Sequence, residues 1–100
     1  MDFEHVSRYI VRRGIAHIRL KGLYNDQSDS THVVTNAEFA GGQLKIRLAD
    51  KLEIFNAPVS SSNLLAIDGN SVGEIKKSNG IYTVLSRSMG RQITYIITLR

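Results

Sequence analysis

The last twenty residues of the chain read Ile81-Tyr-Thr-Val-Leu-Ser-Arg87, then Ser88-Met-Gly-Arg91 and then Gln92-Ile-Thr-Tyr-Ile-Ile-Thr-Leu-Arg100. Alternation with a period of two, in β-branched and aromatic residues, predicts two strands, and the short Gly-containing connection predicts an antiparallel hairpin. One face of the second strand is apolar and comprises Ile93, Tyr95, Ile97 and Leu99. Ile96 interrupts the other, polar face, so we expect this strand to be covered on both faces, by a helix of the same chain or by a neighbouring molecule.

Composition places the chain among ordinary globular domains. One hundred residues with 42% apolar and 22% charged residues predict a single domain over residues 1–100. No apolar run approaches the ~20 residues that span a bilayer, and the N-terminus lacks the pattern of a secretory signal. The absence of cysteine excludes disulfides, thiolate chemistry and Cys-type zinc sites.

The N-terminal segment, residues 1–14, predicts a helix. Phe3, Val6 and Ile10 recur at spacings of three and four, which places them on one helical face. Asp2 is positioned as the N-cap, and Gly14 follows the last turn. We interpret the apolar face as a contact with the core, with docking onto a partner as the alternative.

Residues 15–100 predict a series of short strands separated by turns. Residues 15–24 alternate between an apolar face (Ala16, Ile18, Leu20) and a basic face (His17, Arg19, Lys21). Further strands are predicted at 33–35, 43–49, 52–55, 64–67 and 71–75. Polar runs predict exposed loops at 25–31 and 56–63 and a turn over 76–80. The pattern predicts a mainly β domain, a small antiparallel β-barrel or sandwich of six or seven strands with one N-terminal helix.

Charge is segregated along the chain. The net charge is +4, but residues 1–24 carry +3, residues 25–43 carry −3 and residues 81–100 carry +3. Complementary patches of this kind suit a protein that meets neighbours in a fixed orientation. A basic surface also suits nucleic acid. The residues expected to contact a partner or nucleic acid are Arg8, Arg12, Arg13, Arg19, Lys21, Arg87 and Arg91.

The sequence contains no recognisable motif for metal binding, catalysis or phosphate binding. His5, His17 and His32 lie on different predicted elements without the paired spacing of a metal site. A Ser-His-Asp triad is not testable from sequence, but no Gly-x-Ser-x-Gly elbow is present. The Asp26 and Asp29 carboxylates fall in a predicted solvated loop, and the glycines lack a phosphate-binding context. We therefore expect no enzymatic activity, no cofactor and no metal.

Three segments resemble a known family, the small head–tail joining and tail-attachment (neck) proteins of tailed bacteriophages. Ile18-Arg-Leu-Lys-Gly-Leu-Tyr-Asn-Asp26 is similar to their first strand and following turn, and Leu65-Ala-Ile-Asp-Gly69 is similar to their Ile-Asp-Gly turn. The closing run from Gly90 to Leu99 resembles their terminal strand. The chain departs from the family after Gly69, where residues 70–77 precede the next strand. The segments cover about a third of the chain.

The resemblance implies a structural component of a virion. Its partners would be copies of itself and neighbouring virion proteins, contacted through loops 25–31 and 56–63, and it would assemble in the host cytoplasm. No membrane and no small-molecule substrate are expected. The alternative is a small basic nucleic-acid-binding protein of the cytoplasm, which would use the basic residues of the helix and first strand.

Overall fold

Helix α1 (Phe3–Arg13) begins and ends where the sequence predicts. In the computed structural model, which describes residues 2–52, 59–61, 63–88 and 90–100, the Asp2 carboxylate accepts a hydrogen bond from the His5 amide at 3.1 Å. That bond satisfies one of the free N–H groups of the first turn. Gly14 follows the last turn with a φ of 86°, a conformation that favours glycine.

The strands form one antiparallel sheet. They are β1 (Ile15–Lys21), β2 (Asp29–Ala40), β3 (Gln43–Leu48), β4 (Val59–Ser61), β5 (Leu64–Asp68), β6 (Val72–Ser78), β7 (Ile81–Ser88) and β8 (Arg91–Leu99). Their order in the sheet is β4-β5-β3-β2-β1-β8-β7-β6. A short 3-10 turn, Gly69–Ser71, joins β5 directly to β6. Because β5 and β6 lie near opposite edges of the sheet, this connection brings the edges towards each other.

The seven longer strands curl into a half-barrel, and α1 packs on its concave face. The Phe3 ring lies 6.1 Å from the Phe39 ring of β2, and the Tyr9 ring lies 6.3 Å from the Tyr82 ring of β7, both edge to face. Since β1 and β8 separate β2 from β7 in the sheet, the helix spans the concavity. Val6 and Ile10 are buried there.

The core fills the space between α1 and the concave face. Burying each of its large aliphatic side chains contributes about 1.5–3 kcal/mol, which offsets the conformational entropy lost on folding. The sheet supplies Ile15, Ile18, Leu20, Val34, Leu44, Ile46, Leu48, Leu65, Ile67, Tyr82, Val84, Ile93, Tyr95 and Ile97.

The predicted fold class is confirmed, as is the closing hairpin. Strands β7 and β8 pair continuously from Ile81 opposite Thr98 to Ser88 opposite Arg91. The predicted apolar face of β8 is buried at Ile93, Tyr95 and Ile97, while Leu99 is half-buried. The predicted apolar face of β3 is also buried throughout.

The predicted alternation in β1 is wrong at its first residue. Ile15 is buried and Ala16 is only half-buried, because the pairing of β1 with β8 shifts register between Ile15 and His17. This bulge places one extra residue in β1, so the apolar face begins at Ile15 and resumes at Ile18.

Two predicted loops are shorter than expected. β2 begins at Asp29, so the last three residues of the predicted loop 25–31 belong to a strand. β6 continues to Ser78, and the turn after it consists of Asn79 and Gly80, with φ of 49° and 76°. Two consecutive positive φ values allow a tight two-residue hairpin.

Strand β4 lies within the predicted loop 56–63, which is therefore wrong at residues 59–61. Residues 53–55 of the predicted strand 52–55 lie outside the described residues. Leu52 is described; it is buried and is not in a strand.

Candidate functional site

The seven basic residues expected to contact a partner fall into separate groups. Arg8, Arg12 and Arg13 lie on α1, whereas Arg19 and Lys21 alternate with the buried residues of β1 and so point from the convex face. Arg87 and Arg91 flank the turn between β7 and β8. The helix and the first strand therefore present their charges on opposite sides of the sheet, and the structure does not join them into one basic surface.

Arg12, Arg13 and Arg100 meet where α1 ends beside the end of β8. With Gly14, Thr35 and Asn36 among other residues, they line a cavity of about 300 Å³ that has no Asp or Glu among its lining residues. Arg13 is held in place, since its guanidinium donates to the Tyr9 hydroxyl at 2.8 Å and to the backbone carbonyl of Arg100 at 3.4 Å. This arginine pocket suits an anion such as phosphate, which guanidinium groups bind through paired hydrogen bonds. Arg100 was absent from the predicted contact residues, because its proximity to Arg13 spans 87 positions.

Most of the other predicted contact residues already have partners within the chain. The Arg8 guanidinium pairs with Glu4 at 3.1 Å and lies over the Phe39 ring. Arg91 donates to the backbone carbonyl of Leu23 at 3.0 Å and so anchors the connection after β1. Surface pairs of this kind add little stability, but they direct the side chains.

The Arg19 guanidinium binds the Asp29 carboxylate through two hydrogen bonds, of 2.8 and 2.6 Å. These bonds hold the pKa of Asp29 below its usual value and raise the pKa of Arg19. Asp29 was predicted to lie in a solvated loop, but it lies in β2. It pairs there with Lys21 of β1, which is two residues from Arg19 along that strand. The ion pair explains how a strand accommodates this acidic residue.

Ser30, His32 and Asp50 form a chain of hydrogen bonds that the sequence did not reveal. The His32 Nδ1 atom lies 2.9 Å from the Asp50 carboxylate, and the Ser30 Oγ atom lies 2.8 Å from His32 Nε2. In the tautomer that suits these distances, Nδ1–H donates to Asp50 and the Ser30 hydroxyl donates to Nε2.

These distances match those of a Ser-His-Asp triad. However, His32 is 8% exposed whereas the Asp50 side chain is 57% exposed, so water competes for the carboxylate that would orient the imidazole. The arrangement satisfies both nitrogens of a buried histidine and ties the residue after β3 to β2. The spacing of Ser30 and His32, two apart on one strand face, was the only sequence signal.

The convex face of the sheet carries apolar side chains that no element of the described chain covers. Cross-strand pairing sets Val33, His17, Thr98 and Ile81 in one row from β2 to β7. Ile96 occupies the adjacent row, between Arg19 and Thr83. Val33 is 61% exposed and Ile81 is 38% exposed. Because α1 packs on the concave face, it does not cover Ile96, which is half-buried on the convex face. We call Val33, Ile81 and Ile96 with their intervening threonines the outer patch.

The described part of the chain holds neither a cluster of metal ligands nor a helix that could span a membrane. Residues 2–52, 59–61, 63–88 and 90–100 contain no group of three His, Asp or Glu side chains that could hold a metal ion. None of the helices in these ranges has the length and apolar character needed to cross a bilayer.

Comparison of the chain with protein-family models, with curated proteins and with solved structures finds no match.

Proposed function

We propose that this protein is a non-enzymatic structural component that associates with copies of itself through the outer patch. The observation that carries the proposal is the exposure of Val33 and Ile81 on a sheet face whose opposite side is already covered by α1. Apolar side chains that are grouped on a rigid, solvent-facing surface mark interaction sites. His17, between Val33 and Thr98, and Arg19, beside Ile96, add polar groups within the patch.

The most concrete form of the proposal is a head–tail joining or neck protein of a tailed bacteriophage or prophage, acting in the virion. It is supported by the resemblance of residues 18–26, 65–69 and 90–99 to that family. Two of these segments contain turn-forming residues with a clear structural role, since Gly22 has a φ of 83° and Asp68 accepts a hydrogen bond from the Asn70 amide. Genes for a portal or tail proteins beside this gene would support the assignment.

Replacing both Val33 and Ile81 with lysine is expected to weaken self-association by at least about tenfold, or ~1.4 kcal/mol. The two lysines would place charge in an apolar contact without touching the core. Light scattering coupled to size-exclusion chromatography, from micromolar to millimolar protein, measures the effect.

The matched control adds the same two charges outside the outer patch and outside loops 25–31 and 56–63, as Ala40→Lys with Asn70→Lys, both at exposed positions. This control should assemble like the unmodified chain. A chain that stays monomeric at every concentration and captures no neighbouring virion protein would overturn the proposal.

The arginine pocket favours a second candidate function, binding to nucleic acid through its phosphates. Three guanidinium groups with no Asp or Glu side chain in the pocket lining provide the needed chemistry. The ring of Tyr9 is not available to stack a base beside the pocket, since Arg12, Arg13 and Lys77 already lie over it.

A salt titration against duplex and single-stranded DNA separates the two functions. If the pocket holds phosphates, Arg12→Gln with Arg13→Gln should reduce the slope of log affinity against log salt by about 1.8. Arg8→Gln on the same helix, already paired with Glu4, should reduce it much less. Absence of binding at low salt would exclude the nucleic-acid function, and an equal effect of Arg8→Gln would exclude the pocket as its site.

A further inference from the structure

Strand β6 forms an open edge of the sheet. Among the described residues it pairs only with β7. The pairing with β7 shifts register between Val72 and Glu74, which leaves Glu74–Ser78 as the regular part of the edge. Ile75 is half-buried, and the other residues of this part are exposed. An exposed edge of this kind is a template on which another strand can pair.

The two-residue turn after β6 determines which backbone groups of the edge are free. Ser78 and Ile81 flank the turn and pair with each other. In such a hairpin the flanking residues exchange backbone hydrogen bonds. Because hydrogen-bonded and non-hydrogen-bonded pairs alternate, every second residue back from Ser78 also bonds to β7. The N–H and C=O groups of Ile75 and Lys77 therefore point away from the sheet.

Charge leaves one register for pairing this edge with the same edge of a second copy. In a two-fold symmetric antiparallel pair, the central residue lies opposite itself. Glu74, Lys76 and Lys77 are unsuitable centres, because like charges directly opposite each other are destabilising. A centre at Ser78 would set the strand against the turn, and a centre between two residues would set an outward-pointing residue opposite an inward-pointing one. The remaining centre is Ile75.

The register centred on Ile75 also matches the free backbone groups. The Ile75 N–H group of each copy would donate to the Ile75 carbonyl of the other. On either side, Glu74 would lie opposite Lys76 of the second copy, in the non-hydrogen-bonded pairs whose side chains come closest. Within one copy the Glu74 carboxylate lies 3.5 Å from the Lys76 ammonium group. Four charges of alternating sign would therefore surround the axis, and opposite charges across strands stabilise the pairing.

The second lysine of the edge is also complementary to a second copy. Lys77 makes no ion pair among the described residues. The register centred on Ile75 sets Lys77 beside Gly73 of the second copy, which has no side chain to obstruct it. Gly73 lines a cavity of about 400 Å³ together with Asp2 and Glu74, and this lining contains no Lys, Arg or His. Each copy would thus bring an ammonium group to a cavity that holds two carboxylates.

We propose that β6 pairs with β6 of a second copy across a two-fold axis at Ile75, so that the two sheets join into one. Backbone hydrogen bonds of Ile75 and Lys77 hold the strands together, and the pairing of Glu74 with Lys76 sets the register. The inference rests on the proposed self-association and adds to the outer patch a second interface. Two different two-fold interfaces on one chain allow assembly beyond a dimer.

Reversing the charges at the two central positions tests the register. Glu74→Lys and Lys76→Glu should each weaken the pairing at least about tenfold, because either change sets two pairs of like charges across the axis. An equimolar mixture of the two variants should pair again, since every cross-strand pair then joins opposite charges. The double variant, Glu74→Lys with Lys76→Glu, should pair like the unmodified chain. Sedimentation velocity from micromolar to millimolar protein, with one variant fluorescently labelled, measures each association.

The matched controls are Glu38→Lys and Lys51→Glu, which make the same charge changes at exposed positions outside β6. Both should associate like the unmodified chain. Amide hydrogen exchange supplies a second measurement. Exchange at Ile75 and Lys77 should slow as the protein concentration rises, whereas residues 74 and 76, already bonded to β7, should change little.

A mixture that pairs no better than the single variants would overturn the proposal, as would exchange at Ile75 that does not depend on concentration. Its failure is distinguishable from failure of the outer patch. Association that is lost in Val33→Lys with Ile81→Lys but unchanged in Glu74→Lys would retain the outer patch and reject the β6 pairing. The reverse result would retain the β6 pairing and reject the outer patch.

Discussion

Replacing Gly22 with alanine is expected to lower the free energy of unfolding by about 3 kcal/mol. Gly22 has a φ of 83°, which costs an L-residue about 1–2 kcal/mol. In addition, a Cβ atom would lie only 2.6 Å from the backbone carbonyl oxygen of Gln92, where β1 leaves the sheet beside β8. That oxygen belongs to the backbone of a strand, so the overlap forces the chain to move and cannot be relieved by a side-chain rotation.

Gly41→Ala separates the two contributions. Gly41 also has a positive φ, of 61°, but a Cβ atom there would meet nothing within 4 Å. This variant should lose only about 1–2 kcal/mol, the conformational part of the penalty. Urea unfolding followed by circular dichroism measures both variants. Equal losses for Gly22→Ala and Gly41→Ala would show that the approach of Gln92 is not what requires glycine.

Local rules predicted the elements whose signals lie within a few residues. The cap at Asp2, the apolar spacing of Phe3, Val6 and Ile10 and the stop at Gly14 define α1 without any long-range contact. The alternation in β3, β7 and β8 likewise reflects a half-buried sheet face, which depends only on the period of the strand.

Local rules failed where the pairing partner decides the structure. Residues 29–31, Asp-Ser-Thr, have the composition of a turn, but pairing with β1 and the ion pair of Asp29 with Arg19 place them in a strand. The bulge at Ala16 depends on the register of β8, which lies about 80 residues away in the sequence. Neither feature has a signature within a short window of residues.

The candidate surfaces show the same division. The basic residues were predicted one by one, but their grouping depends on which face of the sheet or helix each occupies. The arginine pocket needs Arg100 beside Arg13, and these residues lie 87 positions apart in the sequence. Only the position of Ile96 on the face opposite the core was foreseen, because it breaks an alternation that is visible in the sequence.

Replacing Tyr95 with phenylalanine is expected to raise the free energy of unfolding by about 1 kcal/mol at neutral pH. Tyr95 is fully buried, and its hydroxyl has no hydrogen-bond partner among the described residues. The phenylalanine ring keeps the packing and removes a polar group that loses its water on folding. Tyr9→Phe should instead lower the free energy of unfolding, because the Tyr9 hydroxyl accepts a hydrogen bond from Arg13 at 2.8 Å and the variant loses that bond.

The gain in the free energy of unfolding from Tyr95→Phe should grow at alkaline pH. Burial raises the pKa of Tyr95 in the folded chain, so the folded state keeps its proton where the unfolded state, with a tyrosine pKa of about 10, releases it. The unmodified chain therefore loses up to about 1.4 kcal/mol of stability from this group for each pH unit above about 10, whereas the phenylalanine variant does not. Urea unfolding from neutral to alkaline pH measures the difference between the two chains. A difference that stays constant above pH 10 would mean that the Tyr95 hydroxyl reaches solvent or a partner in the folded protein.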